Sequence, residues 1–158
     1  MIEILYQAVK RARHVYICGN GGSAANAVHI ANDLIAGGVR AHALTADVAT
    51  LTAIANDYDY AEIFSRQLET LGKSRDLLIV LSGSGKSPNI LAALETAKQK
   101  KMKTAAIFGA YNVHSPTIAD ILISLGWTMQ QAEELQLVIG HHLMKRLTTS
   151  EVLIHNLC

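Results

Sequence analysis

His29 and Asp33 stand four positions apart in the alanine-rich stretch Ala24 to Leu34, so on a helix both side chains leave one face. Immediately before them, Gly19-Asn20-Gly21-Gly22-Ser23 turns the chain between the apolar run Val15 to Cys18 and that helix. A glycine-rich turn between a strand and a helix N-terminus makes an anion site. Glycine lets the backbone approach closely, and unpaired N–H groups and the helix dipole favour a phosphate or carboxylate. An anion cradle and a His/carboxylate pair on consecutive turns suggest a phosphorylated substrate with chemistry beside it.

A second polar turn, Ser82-Gly83-Ser84-Gly85-Lys86-Ser87, also follows a strand-like run and precedes a helix. Its hydroxyls at Ser82, Ser84 and Ser87 supplement backbone N–H groups as phosphate donors. The plain alternative is a loop with helix-capping serines. Gly85-Lys86-Ser87 is not a P-loop, because that motif requires glycine at position 80, which is Val80. Nor is the first turn a dinucleotide fingerprint, since the position three after Gly21 is Ala24.

The bland readings are real competitors. A lone histidine on such a helix is more often packed or exposed than ligating, and Asp33 alone would be an ordinary surface carboxylate. His141 and His142 are adjacent and point about 100° apart on a helix, so at most one faces a given site. Glu133-Glu134 reads equally as a solvated face. His14, His42, His114 and His155 show no partner pattern, and Cys18 is core rather than nucleophile. Arg66 either pairs with Glu62 or Glu69, or reaches a substrate hydroxyl or a neighbouring subunit.

The elements that must hold these groups alternate. The 158 residues are 50% hydrophobic and 17% charged, with a net charge of +1, which fits one compact domain and gives no bulk case for nucleic acid or membrane binding. Two cysteines exclude a disulfide framework, no run approaches membrane-spanning length, and the N-terminus lacks a signal-peptide core. The patterning predicts a short amphipathic helix over Met1 to Arg13 and strands at Val15 to Cys18 and Val39 to Thr45. It places helices at Asp47 to Tyr58 and Tyr60 to Gly72, the buried strand LLIVLS, and a helix over Asn89 to Lys101. Strands at Thr104 to Phe108 and Ile121 to Leu125 precede a long helix from about Thr128 to Thr148. Alternation of this kind implies an α/β three-layer sandwich on a five-stranded parallel, flavodoxin-like sheet, with ligand at the C-terminal strand ends.

With both turns in place, the chain resembles the sugar-isomerase (SIS) domain family, and within it the phosphoheptose (sedoheptulose 7-phosphate) isomerases. The segments that carry the likeness are CGNGGSAANAVHIANDL, LTAIANDYDYAEIFSRQLETLG, DLLIVLSGSGKSPNI and AEELQLVIGHHL. The resemblance implies substrate contacts at Asn20, Gly21, Gly22, Ser23, Asn56 and Asp57, and a phosphate cup at Ser82, Gly83, Ser84 and Ser87. It also implies one zinc ion per active site, held by His29, Asp33, Glu133 and His141, with Glu133 also near substrate. The chain departs from the family pattern at several places. Asp33 stands for a family Glu, Glu133 for a Gln, Gln130 for an Asp, Gly83 for a Thr and Lys86 for an Asn. Family members also usually carry a longer helical N-terminus than Met1 to Arg13.

The expected activity is ketose–aldose isomerisation of sedoheptulose 7-phosphate to D-glycero-D-manno-heptose 7-phosphate through an enediol, with Asp33 and His141 moving protons and Asp57 a secondary candidate. The resemblance further implies nucleotide-heptose and surface polysaccharide (lipopolysaccharide) synthesis, a cytoplasmic location and a homo-oligomer, expected to be a tetramer. No nucleic-acid or membrane partner is expected. Two other readings stay open at this point: a non-catalytic SIS module that binds a phosphosugar or a protein, and an isomerase of another phosphosugar.

Overall fold

The computed structural model describes residues 1–109, 118–126 and 128–155, the last six of these (150–155) as backbone only. Its strands are β1 (Val15–Gly19), β2 (Ala41–Ala43), β3 (Leu77–Ser82), β4 (Lys103–Phe108) and β5 (Ile121–Ser124). All neighbours pair in parallel, in the order β2-β1-β3-β4-β5. That is the flavodoxin-like order expected from the sequence. Strand order reverses between β1 and β3, so the turns leaving these two adjacent strands open side by side at one end of the sheet.

Alternate strand residues face opposite layers. Ile17, Leu77, Ile79, Leu81 and Ile107 pack with Leu5, Ile30, Leu34, Ile139 and Leu143. These come from α1 (Ile2–Arg11), α2 (Gly22–Ala36) and α6 (Met129–His155). On the other face, Cys18, Leu78, Val80 and Phe108 meet Phe64, Leu68, Ile90 and Leu94. That layer contains α4 (Ser65–Leu71) and α5 (Pro88–Gln99). Because β3 is buried at every position, its sequence is continuously apolar rather than alternating.

Several expected boundaries shift, each for a local reason. The helix expected from Ala24 begins at Gly22, because Ala24 and Ala25 both donate their N–H to the Gly21 carbonyl. The strand expected over Val39 to Thr45 shortens to β2, an edge strand with three paired residues. α3 (Val48–Asp57) begins where the Asp47 carboxylate accepts from the N–H groups of Ala49 and Thr50. Bonds from the Thr50 hydroxyl and N–H hold the Asp47 carboxyl below its ordinary range. The single helix expected over Tyr60 to Gly72 divides into a 3₁₀ turn at Tyr60–Glu62 and α4. The break lets Ile63 and Phe64 enter the core. The N-terminal helix ends at Arg11 rather than Arg13, and α6 continues past Thr148 to His155.

Candidate active site

The turn after β1 and the turn after β3 form one rim. Asn20 and Asn89, the second residue of α5, exchange two amide hydrogen bonds of 2.9 Å, and the Tyr60 hydroxyl donates to Asn20 Oδ1 at 3.1 Å. In the serine turn, Ser82 Oγ accepts from Gly85 N–H at 3.0 Å and Ser84 Oγ accepts from Lys86 N–H at 3.2 Å. Ser82 is buried, Ser84 is exposed, and Ser87 starts α5 without a side-chain capping bond. Gly83 has no Cβ, and the Met129 sulfur occupies the direction in which one would project. The serine turn therefore combines hydroxyls with the start of a twelve-residue helix, a suitable seat for a phosphate.

About two turns into α2, three side chains meet. His29 Nε2 lies 3.4 Å from Asp33 Oδ2, His141 Nε2 lies 3.6 Å from the same oxygen, and the two ring nitrogens are 2.9 Å apart. The rings are exposed, whereas Asp33 is 8% accessible and its Oδ2 is buried with no hydrogen-bond partner. A buried carboxylate oxygen without a donor is costly. Donors to zinc at 2.0–2.2 Å would lie about 3.3–3.6 Å from one another in a tetrahedral site. The three atoms nearly meet that spacing, and two imidazoles with a carboxylate suit a divalent metal such as zinc. The residues present fit the group.

Other expected residues fall elsewhere. Glu133 is not part of the His29/Asp33/His141 cluster. Its carboxylate lies against Gly22 at the N-terminus of α2, an internal anion placed on that helix end. Eight residues along α6 carry Glu133 about 12 Å from the level of His141, which explains the separation. The Ser23 side chain is buried and donates to Gln136 Oε1 rather than facing the rim. Asn56 and Asp57 are exposed at the end of α3 and bond to each other at 2.9 Å. Of the adjacent histidines, His141 joins the cluster and His142 does not. Arg66 pairs with Glu62 at 2.6 Å and stacks over the Tyr58 ring. His114 lies outside the described residues.

Three residues not singled out from sequence support this region. Gln136, wholly buried on α6, also accepts from Asn26 Nδ2 at 3.1 Å, and so joins α6 to the first turn of α2. Asn89 and Tyr60 complete the Asn20 network. A polar residue straight after Pro88, where a helix starts against a strand end, was the available signal for Asn89.

The serine-rich turn at the start of α5 and the His/Asp/His cluster between α2 and α6 are both carried by one parallel α/β sandwich. The model of the SIS domain matches residues 1–109. A phosphoheptose isomerase of Burkholderia pseudomallei is 41% identical over 141 residues, covering 85% of this chain and 72% of that one. The structure of a phosphoheptose isomerase from Neisseria gonorrhoeae superposes with a TM-score of 0.86 at 30% identity, covering 94% of this chain and 83% of that one. One from Francisella tularensis gives 0.84 at 33% identity, with coverages of 94% and 84%. The chain belongs to the SIS domain family, and its similarity runs to the phosphoheptose isomerases within it.

Proposed function

We propose that this chain is a phosphosugar ketose–aldose isomerase that converts sedoheptulose 7-phosphate to D-glycero-D-manno-heptose 7-phosphate. The observation that carries the reading is the convergence of His29, Asp33 and His141 on the unpartnered Asp33 Oδ2, on the helix that follows the glycine-rich turn. Ser82, Ser84 and Ser87, with the backbone at Gly83, hold the phosphate. Asn20, Gly21, Gly22, Asn56 and Asp57 contact the sugar, with Ser23 contributing its backbone N–H rather than its hydroxyl. Binding at the phosphate end thereby orients the reacting carbons.

His29, Asp33 and His141 would hold the metal, zinc in this reading; Glu133 remains close to the sugar as an acceptor for hydroxyls. When bound, zinc supplies Lewis-acid polarisation of the substrate oxygens. Asp33 takes the proton from the carbon next to the carbonyl and returns it to the former carbonyl carbon. His141, through its remaining ring nitrogen, exchanges the proton of the neighbouring oxygens, and Asp57 is the reserve carboxylate.

The wider reading is one SIS domain over 1–158 that acts as a homotetramer in the cytoplasm and feeds nucleotide-heptose and surface polysaccharide synthesis. An exposed apolar residue at the start of α3, Val48, supports assembly, whereas Leu51 and Ile54 of the same helix are half-buried against the core. Among the described residues no helix is long and apolar enough to cross a membrane.

Turnover of sedoheptulose 7-phosphate is the test, measured with and without added zinc and beside Asp33→Asn and His141→Ala. Zinc-dependent formation of an aldose heptose phosphate is expected, reduced at least 10²-fold in both variants. Tight phosphosugar binding with no turnover in the zinc-loaded protein would replace the isomerase with a binding module.

A further inference from the structure

Asn20 contacts the sugar in the proposed isomerase, and its role there depends on which end of its side chain meets the ligand. A carboxamide can offer either an N–H donor or a carbonyl acceptor, depending on how it is turned. In this structure Oδ1 is the fully engaged end. Asn20 Oδ1 accepts from Asn89 Nδ2 at 2.9 Å and from the Tyr60 hydroxyl at 3.1 Å, which engages both of its lone pairs. One hydrogen on Asn20 Nδ2 goes to Asn89 Oδ1 at 2.9 Å. The other has no acceptor among the described residues. Asn89 itself is 2% accessible and sits in the first turn of α5, so its own amide cannot swing into solvent.

We propose, resting on the isomerase reading, that Asn89 is a positioning residue which, with Tyr60, locks the Asn20 carboxamide so that it presents one N–H donor to the substrate. The group this donor recognises is an acceptor oxygen of the phosphosugar: a carbonyl, a hydroxyl or the oxygen that gains charge during enolisation. The same pair joins the turn after β1 to the start of the helix that follows the serine turn. The donor to the sugar and the seat for the phosphate are thereby held in fixed relation. Asn89 is no part of the His29/Asp33/His141 cluster; its effect passes through Asn20.

The test uses Asn89→Ala, Asn20→Ala and the double variant, with Tyr60→Phe as an exposed change that removes only one bond. Nitrogen-15 spectra of the side-chain amides read the lock directly. The wild-type Asn20 pair should be shifted from the solvent position and slow to exchange, and Asn89→Ala should move it to the solvent position. In turnover, Asn89→Ala should lower kcat/KM about tenfold, and should have no further effect once Asn20 is Ala. Tyr60→Phe should shift the same amide signal and cost about threefold. An Asn20 amide indifferent to both Asn89→Ala and Tyr60→Phe would overturn the proposal, as would losses at positions 20 and 89 that multiply. A wild-type protein inactive on sedoheptulose 7-phosphate would remove the isomerase reading, while the amide spectra would still decide the lock.

Discussion

Cys18 shows how strongly position sets the character of a side chain. It stands directly before the Gly19 to Ser23 turn, yet it is fully buried, and burial pushes its thiol well above the ordinary range. The thiolate is the reactive form. Peptide mapping after iodoacetamide at pH 8 should find Cys18 unmodified in the native protein and modified after urea unfolding. Modification in the native state would mean that β1 opens readily. The reading of Cys18 as core followed from its apolar neighbours. The His29/Asp33 pairing followed from spacing alone, since four residues on one helix fix a shared face. What spacing could not show was which residue of a distant helix meets that face. Glu133 is assigned to the metal by the family resemblance, whereas the structure sets its carboxylate at the start of α2. The partners of Asn20 were hidden for the same reason, with Asn89 standing 69 residues away in the chain.

At the level of elements, the serine turn depends on one backbone conformation. Gly85 has φ +67°, and a Cβ there would meet Phe108 Cδ2 at 2.8 Å. Gly85→Ala combines left-handed strain with a clash against a buried ring, and should cost about 2–3 kcal/mol. Thermal unfolding should show the loss, and phosphosugar affinity should fall with it; an unchanged melting temperature would contradict this account. A second element-level feature ties β4 to the entry of β5. Asp120 Oδ2 accepts from the N–H and hydroxyl of Thr104 at 2.8 and 2.9 Å, and Lys103 stands 3.4 Å from its other oxygen. Burial works to raise the Asp120 carboxyl, but the Thr104 bonds and Lys103 outweigh it and hold it below its usual range. A depressed folded value means that this stabilisation is complete above the unfolded value of about 3.9 and is lost as pH falls through the folded one. Asp120→Asn should therefore flatten the acid limb of a stability–pH curve below about pH 4, as read by urea unfolding. Continuous apolar runs made the buried strands legible. β2 and the divided Tyr60 to Gly72 segment were not, because an edge strand has few pairings and a helix break is decided by what must enter the core.

For the whole molecule, the close crossing of α2 and α6 decides whether a metal site exists. Gly140 lies against α2, and a Cβ there would meet Ile30 Cγ1 at 2.6 Å. Gly140→Val should push the helices apart, cost about 1–3 kcal/mol and separate His141 from His29. Zinc affinity measured by competition with a chelator should drop more steeply than stability does. Retained affinity would mean that the cluster tolerates the displacement. The overall sandwich was legible because alternation of strands and helices admits few topologies. The helix crossing was not, since it depends on small residues meeting across a long separation.

His29 and His141 are 112 residues apart, one near the beginning of the chain and the other on its last helix. A ribosome releases the first of them long before the second, and neither half chelates on its own as the pair does. In the proposed reading, metal capture depends on α6 docking against α2: before that, only His29 and Asp33 of the cluster are in place. A bound metal would then stabilise the docked state of the two helices.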